Sequence, residues 1–266
     1  MRLPFNVSLY QLVYAGLGFV PILCLSLSFF GVIPLHASAQ YIILPTFLAA
    51  IVMGLYKREL GYQALTGLLA GIVATALYDV FRLSLVWAGV FQDFIPNIGR
   101  LALLDDHANP FWGYLWRFIC NGGGMGMAFG ILPFRGARQG ISYGIFICCC
   151  LFGTLLFAPG AQQALFHLTT ITAAGALVGH VIYGGALGGL TRMWLQSSAK
   201  SDQRRKTAAK RQTVIAYVPG SLAKERTRAL LTLKIAEGGQ RRKKVSAGLM
   251  KRAAAESSGP AVKAHS

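Results

Sequence analysis

Asp79 and Arg82 stand three residues apart in the run Tyr78-Asp79-Val80-Phe81-Arg82, within an otherwise apolar stretch. That spacing puts both on one helix face, where they can pair. A charge inside a bilayer costs at least about 2.5–3.5 kcal/mol on insertion scales, so an intramembrane pair is a candidate functional site by default. Arg117 and Asn121, four residues apart, form a second polar pair in another apolar stretch. His180 lies near the middle of a third, with Gly179 and Tyr183 close by. These five residues could pass an ion or small polar solute, with His180 as a proton relay. A structural reading accounts for the same residues. Asp79 and Arg82 would pair at the outer rim, with Arg82 snorkelling to the headgroups. An Asp79–Arg117 bridge would hold two helices together, and His180 would be hydrogen-bonded in a glycine-rich interface.

Enzyme signatures are missing. The chain has no HExxH, GxSxG, P-loop or strand-borne GxGxxG. Haem ligation by His180 needs a second histidine at similar depth. His167, about 20 Å along the same helix at 1.5 Å per residue, cannot share one iron with it. Asp105-Asp106-His107 has ligand-type side chains but reads as a solvated turn. No catalytic residue, metal site or cofactor is assigned.

The elements that must position these side chains follow from composition. Of 266 residues 54% are hydrophobic and 13% charged, against roughly a quarter charged in soluble domains. Six stretches are long and apolar enough to span a membrane, at about 9–33, 40–56, 62–90, 112–132, 139–158 and 165–194. The fold class expected is all-α, a polytopic transmembrane helical bundle of about six spans over residues 1–195. Connections 57–61 and 133–138 carry Lys57, Arg58, Arg135 and Arg138, whereas loop 91–111 carries Asp93, Asp105 and Asp106 against Arg100. Under the positive-inside rule both termini are cytoplasmic. Asp79, Arg82, Arg117 and Asn121 then fall in the outer half and converge beneath loop 91–111 as an external polar vestibule. Ala37-Ser38-Ala39 imitates a signal-peptidase site, but the preceding apolar stretch is too long for a signal peptide and Arg2 is the only positive charge before it. Trp87, Phe91, Phe111, Trp112, Trp116 and Trp194 fit interfacial belts. Cys24, Cys120 and Cys148 to Cys150 read as buried thiols without disulfides.

Glycines recur every fourth position: Gly67 and Gly71; Gly122, Gly126 and Gly130; Gly140 and Gly144; Gly175 and Gly179; Gly184 and Gly188; Gly185 and Gly189. This spacing lets helix backbones approach closely in lipid.

Residues 196–266 hold 17 of the 26 lysines and arginines, and so most of the net charge of +17. This composition predicts a largely disordered basic cytoplasmic tail. One short amphipathic helix is expected near 221–237. Arg204, Arg205 and Lys206 follow the last span, and Arg241, Arg242, Lys243 and Lys244 form a second cluster. Anionic lipid headgroups are the economical partner, at about 1 kcal/mol per nearby basic residue. A protein partner or oligomer is a second possibility. Nucleic acid or the ribosome is disfavoured, because Tyr217 is the only aromatic in the tail.

The runs Ala76-Leu-Tyr-Asp79-Val-Phe-Arg82, Asn121-Gly122 with Gly126, and Gly179-His180-Val-Ile-Tyr183-Gly184 resemble a pattern in uncharacterised six-span bacterial integral membrane proteins. The resemblance covers about residues 60–190. It implies a multi-pass inner-membrane protein and carries no activity. Three functional classes stay open: a non-enzymatic accessory or scaffold protein, a small transporter or channel, and a membrane redox or lipid enzyme.

Overall fold

The computed structural model describes residues 7–216, and no strand occurs among them. The chain divides into two units at Lys200 and Ser201. Five helices are long and apolar enough to cross a bilayer: Leu9–Phe29, Leu35–Tyr56, Arg58–Trp87, Ala137–Phe157 and the Thr170–Ser198 part of the last helix. Large apolar side chains cover their outer faces, with Val80 71% and Trp87 93% exposed. Water would not tolerate such a surface over a whole protein, whereas lipid does.

Helix α1 (Leu9–Phe29) starts at a capping box. Ser8 Oγ accepts from the Gln11 amide, and Gln11 Oε1 accepts from the Ser8 amide. The next crossing element begins as α2 (Leu35–Ser38), widens into a π-helical segment (Ala39–Ile43) and continues as α3 (Leu44–Tyr56). Pro45, in the first turn of α3, lacks the amide hydrogen that a regular helix would use there. Ala37-Ser38-Ala39 is thus helical, and Ser38 is fully buried. Helix α4 (Arg58–Trp87) carries Asp79 and Arg82. Residues 110–131 form three successive segments, α6 (Pro110–Leu115), a second π segment (Trp116–Gly123) and α7 (Gly124–Ile131). After α8 (Ala137–Phe157) comes the short α9 (Ala161–Ala164), then α10 (Thr170–Ala216).

Between α4 and α6, the stretch read as a loop contains α5 (Ile95–Leu103). Pro96 is in its first turn, and Ile95, Ile98 and Gly99 are its buried face. It ends on Leu104 in the left-handed conformation, at φ 57° and ψ 41°, a region that suits glycine far better than leucine. Leu104 is 72% exposed, so little packing is lost on its removal. Leu104→Gly is expected to stabilise the protein by about 1 kcal/mol, read as a raised midpoint of thermal unfolding in detergent.

The recurring glycines are where helices meet. A Cβ added to Gly67 would lie 2.3 Å from the Gly126 carbonyl oxygen, and one on Gly71 would lie 2.2 Å from that of Gly122, so α4 packs backbone to backbone against the second π segment and α7. Gly18 of α1 meets Gly124 in the same way, and Gly140 of α8 meets Gly184 and Gly188 of α10. Gly153 and Gly189, by contrast, have open space beside them. Three buried tyrosines tie elements together through backbone carbonyls. Tyr14 donates to Ala50, Tyr143 to Met125 and Tyr183 to Gly122, at 2.5, 2.7 and 3.0 Å. Arg135, in the short connection before α8, donates to the carbonyls of Leu132 and Phe134. Burial lowers the pKa of its guanidinium.

Several expectations change. Phe91 and Trp116 are 7% and 6% exposed and belong to the core; Trp87 faces outward. They pack against the buried ends of α1 and α5, a tertiary context that interfacial composition does not reveal. The last crossing helix starts at Thr170 rather than 165, which leaves His167 outside it. Residues 196–216, placed in a disordered tail, continue α10 as helix; alanine, lysine, arginine and glutamine there have high helix propensity. Arg204, Arg205 and Lys206 lie on that helix. The amphipathic helix expected near 221–237 and the cluster Arg241, Arg242, Lys243 and Lys244 lie outside the described residues.

Candidate functional site

Asp79, on α4, accepts hydrogen bonds from two arginines. Arg82 Nε reaches its Oδ1 at 3.1 Å from one turn further along the same helix. Arg117, on the second π segment, reaches Oδ1 from Nη2 at 2.9 Å and from Nε at 3.2 Å. Arg82 extends to a second carboxylate, its Nη1 lying 3.0 Å from Asp93 Oδ1. Its Nη2 contacts the Tyr114 hydroxyl at 3.1 Å, and Tyr114 donates to Asp93 Oδ2 at 3.2 Å. Two arginines and two aspartates thus form one neutral cluster spanning α4, the start of α5, α6 and the π segment. The Arg117 guanidinium lies 4.6 Å over the Tyr78 ring, and that of Arg82 lies 5.5 Å over Phe94.

This cluster is closed around Asp79 and Arg82, while the Asp93 side chain at its edge is 32% exposed. Arg82 is 2% and Asp79 3% exposed. Arg82 does not snorkel, because the carboxylates of Asp79 and Asp93 lie on the protein side of the helix and offer charge-assisted hydrogen bonds. The rest of the expected vestibule does not join. Asp105 and His107 pair only with each other, 4.0 Å apart, with the His107 side chain 92% exposed.

Asn121 and His180 face another space, a cavity of about 330 Å³ within the bundle. Its polar lining comes chiefly from Thr75 and Tyr78 of α4, Arg117 and Asn121 of the π segment, and His180 and Tyr183 of α10. Most of the remainder is apolar, including Phe19, Ile22 and Leu23 of α1 and Phe146, Ile147 and Leu151 of α8. His180 Nδ1 lies 2.7 Å from the Ala176 carbonyl, and its ring is 5.3 Å from that of Tyr78. A carbonyl only accepts, so neutral His180 carries its proton on Nδ1 and presents Nε2 as an acceptor. The Asn121 Oδ1 is buried without a hydrogen-bond partner among the described residues.

Of the five residues singled out by sequence, Arg82 and Arg117 converge on Asp79. Arg117 belongs to both spaces, and Asn121 and His180 to the cavity alone. Asp93, expected only in the loop above the site, and Tyr114, which no sequence motif marks, complete the cluster through Arg82. Asp93 also accepts from the amide of Ile95, two residues on, at 3.4 Å, a local turn that short acidic side chains make. No protein-family model, curated protein or solved structure matches this chain.

Proposed function

We infer that the chain is a six-span protein of the bacterial inner membrane, with both termini cytoplasmic, acting as a non-enzymatic accessory or scaffold protein. Its basic tail is the arm that binds anionic lipid or a cytoplasmic partner. The mutual saturation of Asp79, Arg82, Arg117 and Asp93 carries this reading. A solute path needs charged groups that exchange partners with a passing ion. Here Asp79 is consumed by two guanidiniums, and the charge serves helix packing instead. Residues 110–131 supply the sixth span. They rise about 33 Å at 1.5 Å per residue, enough for the hydrocarbon core, although the π segment divides them. Orientation follows from Lys57, Arg58, Arg135 and Arg138 on one side and Asp93, Asp105 and Asp106 on the other.

A small transporter is the rival, favoured by the cavity that Arg117, Asn121 and His180 share. Native mass spectrometry of the full chain, purified without crosslinking, separates the two. A stoichiometric protein partner is the expected result. A bound water-soluble solute, released by flux when the protein is reconstituted into liposomes, would overturn the scaffold reading. Topology is checked by labelling the single substitutions Asp106→Cys and Arg138→Cys, both at exposed positions. The first is expected to react from the periplasmic side and the second only after the membrane is opened.

A further inference from the structure

The cavity beside the ion cluster has two chemically distinct walls. Its charged, amide and imidazole side chains come from α4, the second π segment and α10, whereas Ser26 of α1 and Thr154 of α8 bring only hydroxyls that pair with each other. Its exposed residues come from α1 and α8, where Leu23 and Phe146 are each 56% exposed. These two helices are joined on either side of Leu23 and Phe146. Thr154 of α8 donates to Ser26 of α1 at 3.3 Å, and the Phe19 and Tyr143 rings meet at a tilt with centroids 6.0 Å apart. Between those ties Leu23 and Phe146 both line the cavity and are exposed on the apolar outer face, where lipid would be. Four buried side-chain polar atoms lack a partner among the described residues, and only that of Asn121 belongs to a residue lining this cavity. An unpaired buried acceptor is costly, and a ligand that hydrogen-bonds the Asn121 carboxamide would relieve it.

We propose that this cavity binds one single-tailed lipid whose head is uncharged and carries oxygen, admitted sideways from the bilayer between α1 and α8. Size sets the single tail, since about 330 Å³ is at the small end of ligand pockets. Charge sets the head. Arg117 is neutralised by Asp79 at 2.9 Å, so an anionic head would find no net counter-charge, and Asp79 has no capacity left for a cationic one. The polar groups offered are hydrogen-bonding ones: the Asn121 carboxamide, and His180 Nε2 as acceptor for a hydroxyl. The tail lies along Phe19, Leu23, Phe146 and Leu151. This inference does not depend on the accessory reading, because a transporter or an enzyme could hold such a lipid too.

The test uses full-length protein in detergent, titrated with four probes of matched tail length: an alkyl benzoquinone, a monoacylglycerol, a fatty acid and a lysophosphatidylglycerol. Native mass spectrometry reads stoichiometry, and a retained-ligand assay reads affinity. The expected result is 1:1 binding of at least one uncharged probe, at least tenfold tighter than either charged probe. The benzoquinone and monoacylglycerol arms say whether the head is a ring or a polyol. Asn121→Leu is expected to weaken the uncharged probe at least tenfold. Leu23→Trp, on the outer face and therefore tolerant of change, is expected to abolish binding by filling the opening while the melting temperature stays within a few degrees. Equal or tighter binding of a charged probe overturns the proposal, as does binding of all four that neither substitution reduces, or no binding of any uncharged probe.

Discussion

Asp79→Leu is expected to destabilise the protein by about 3–5 kcal/mol, the usual cost of removing one partner from a buried ion cluster. The size follows from what is left behind. Arg82 and Arg117 are 2% and 8% exposed, and both lose their shared carboxylate. Arg82 keeps Asp93 at 3.0 Å, so the uncompensated charge falls chiefly on Arg117. Arg117→Leu is expected to cost less, because Asp79 keeps Arg82 at 3.1 Å. The double variant Asp79→Leu with Arg117→Leu should therefore be more stable than Asp79→Leu alone. Unfolding in mixed micelles measures all four species, and the double-mutant cycle isolates the coupling. A single Asp79→Leu variant that unfolds like the parent would remove the structural role assigned to the cluster. Asp79→Leu that folds normally but abolishes flux of a solute would instead revive the transporter reading.

The pairing of Asp79 with Arg82 was legible because i and i+3 share a helix face whatever the fold. The bridge from Asp79 to Arg117 was legible only as a possibility, since it depends on α4 lying against the 110–131 segment. The boundary between ion cluster and cavity falls within the π segment Trp116–Gly123. Arg117 and Asn121, four apart, would share a face on a regular helix. They share one on the π segment too, since four residues fall about as far short of a π-helical turn as they exceed an α-helical one; both line the cavity, but only the longer Arg117 side chain also reaches Asp79. Such segments leave little trace in sequence, although they often accompany functional sites. The helix α5 was legible in principle: Pro96 at its start and Ile95 with Ile98 on one face are an amphipathic signature. The cavity could not be read at all, because it is set by where α1 and α8 stand apart, a property of neither helix alone.

The close approach of α4 to the 110–131 segment decides whether the ion cluster can form, and it rests on glycine. A Cβ on Gly71 would lie 2.2 Å from the Gly122 carbonyl oxygen, and one on Gly126 would lie 2.6 Å from the Gly71 Cα, so backbone rather than a movable side chain blocks both. Gly71→Val is expected to cost about 3 kcal/mol or more by forcing the helices apart. Gly16→Ala and Gly153→Ala, with nothing within 4 Å of the added atom, are expected to be neutral or to stabilise by up to about 1 kcal/mol. The contrast separates close contact from the general preference of helices for alanine over glycine. Asp79 follows Gly71 by eight residues, about 12 Å along α4, and Arg117 precedes Gly122 on the opposing segment. Separating the backbones at Gly71 should lengthen the 2.9 Å Asp79–Arg117 contact as well. Gly71→Val and Asp79→Leu are therefore expected to be less than additive by at least about 1 kcal/mol, as for sites coupled through one backbone shift. Strict additivity in the same unfolding assay would show that the ion cluster forms independently of the glycine seam.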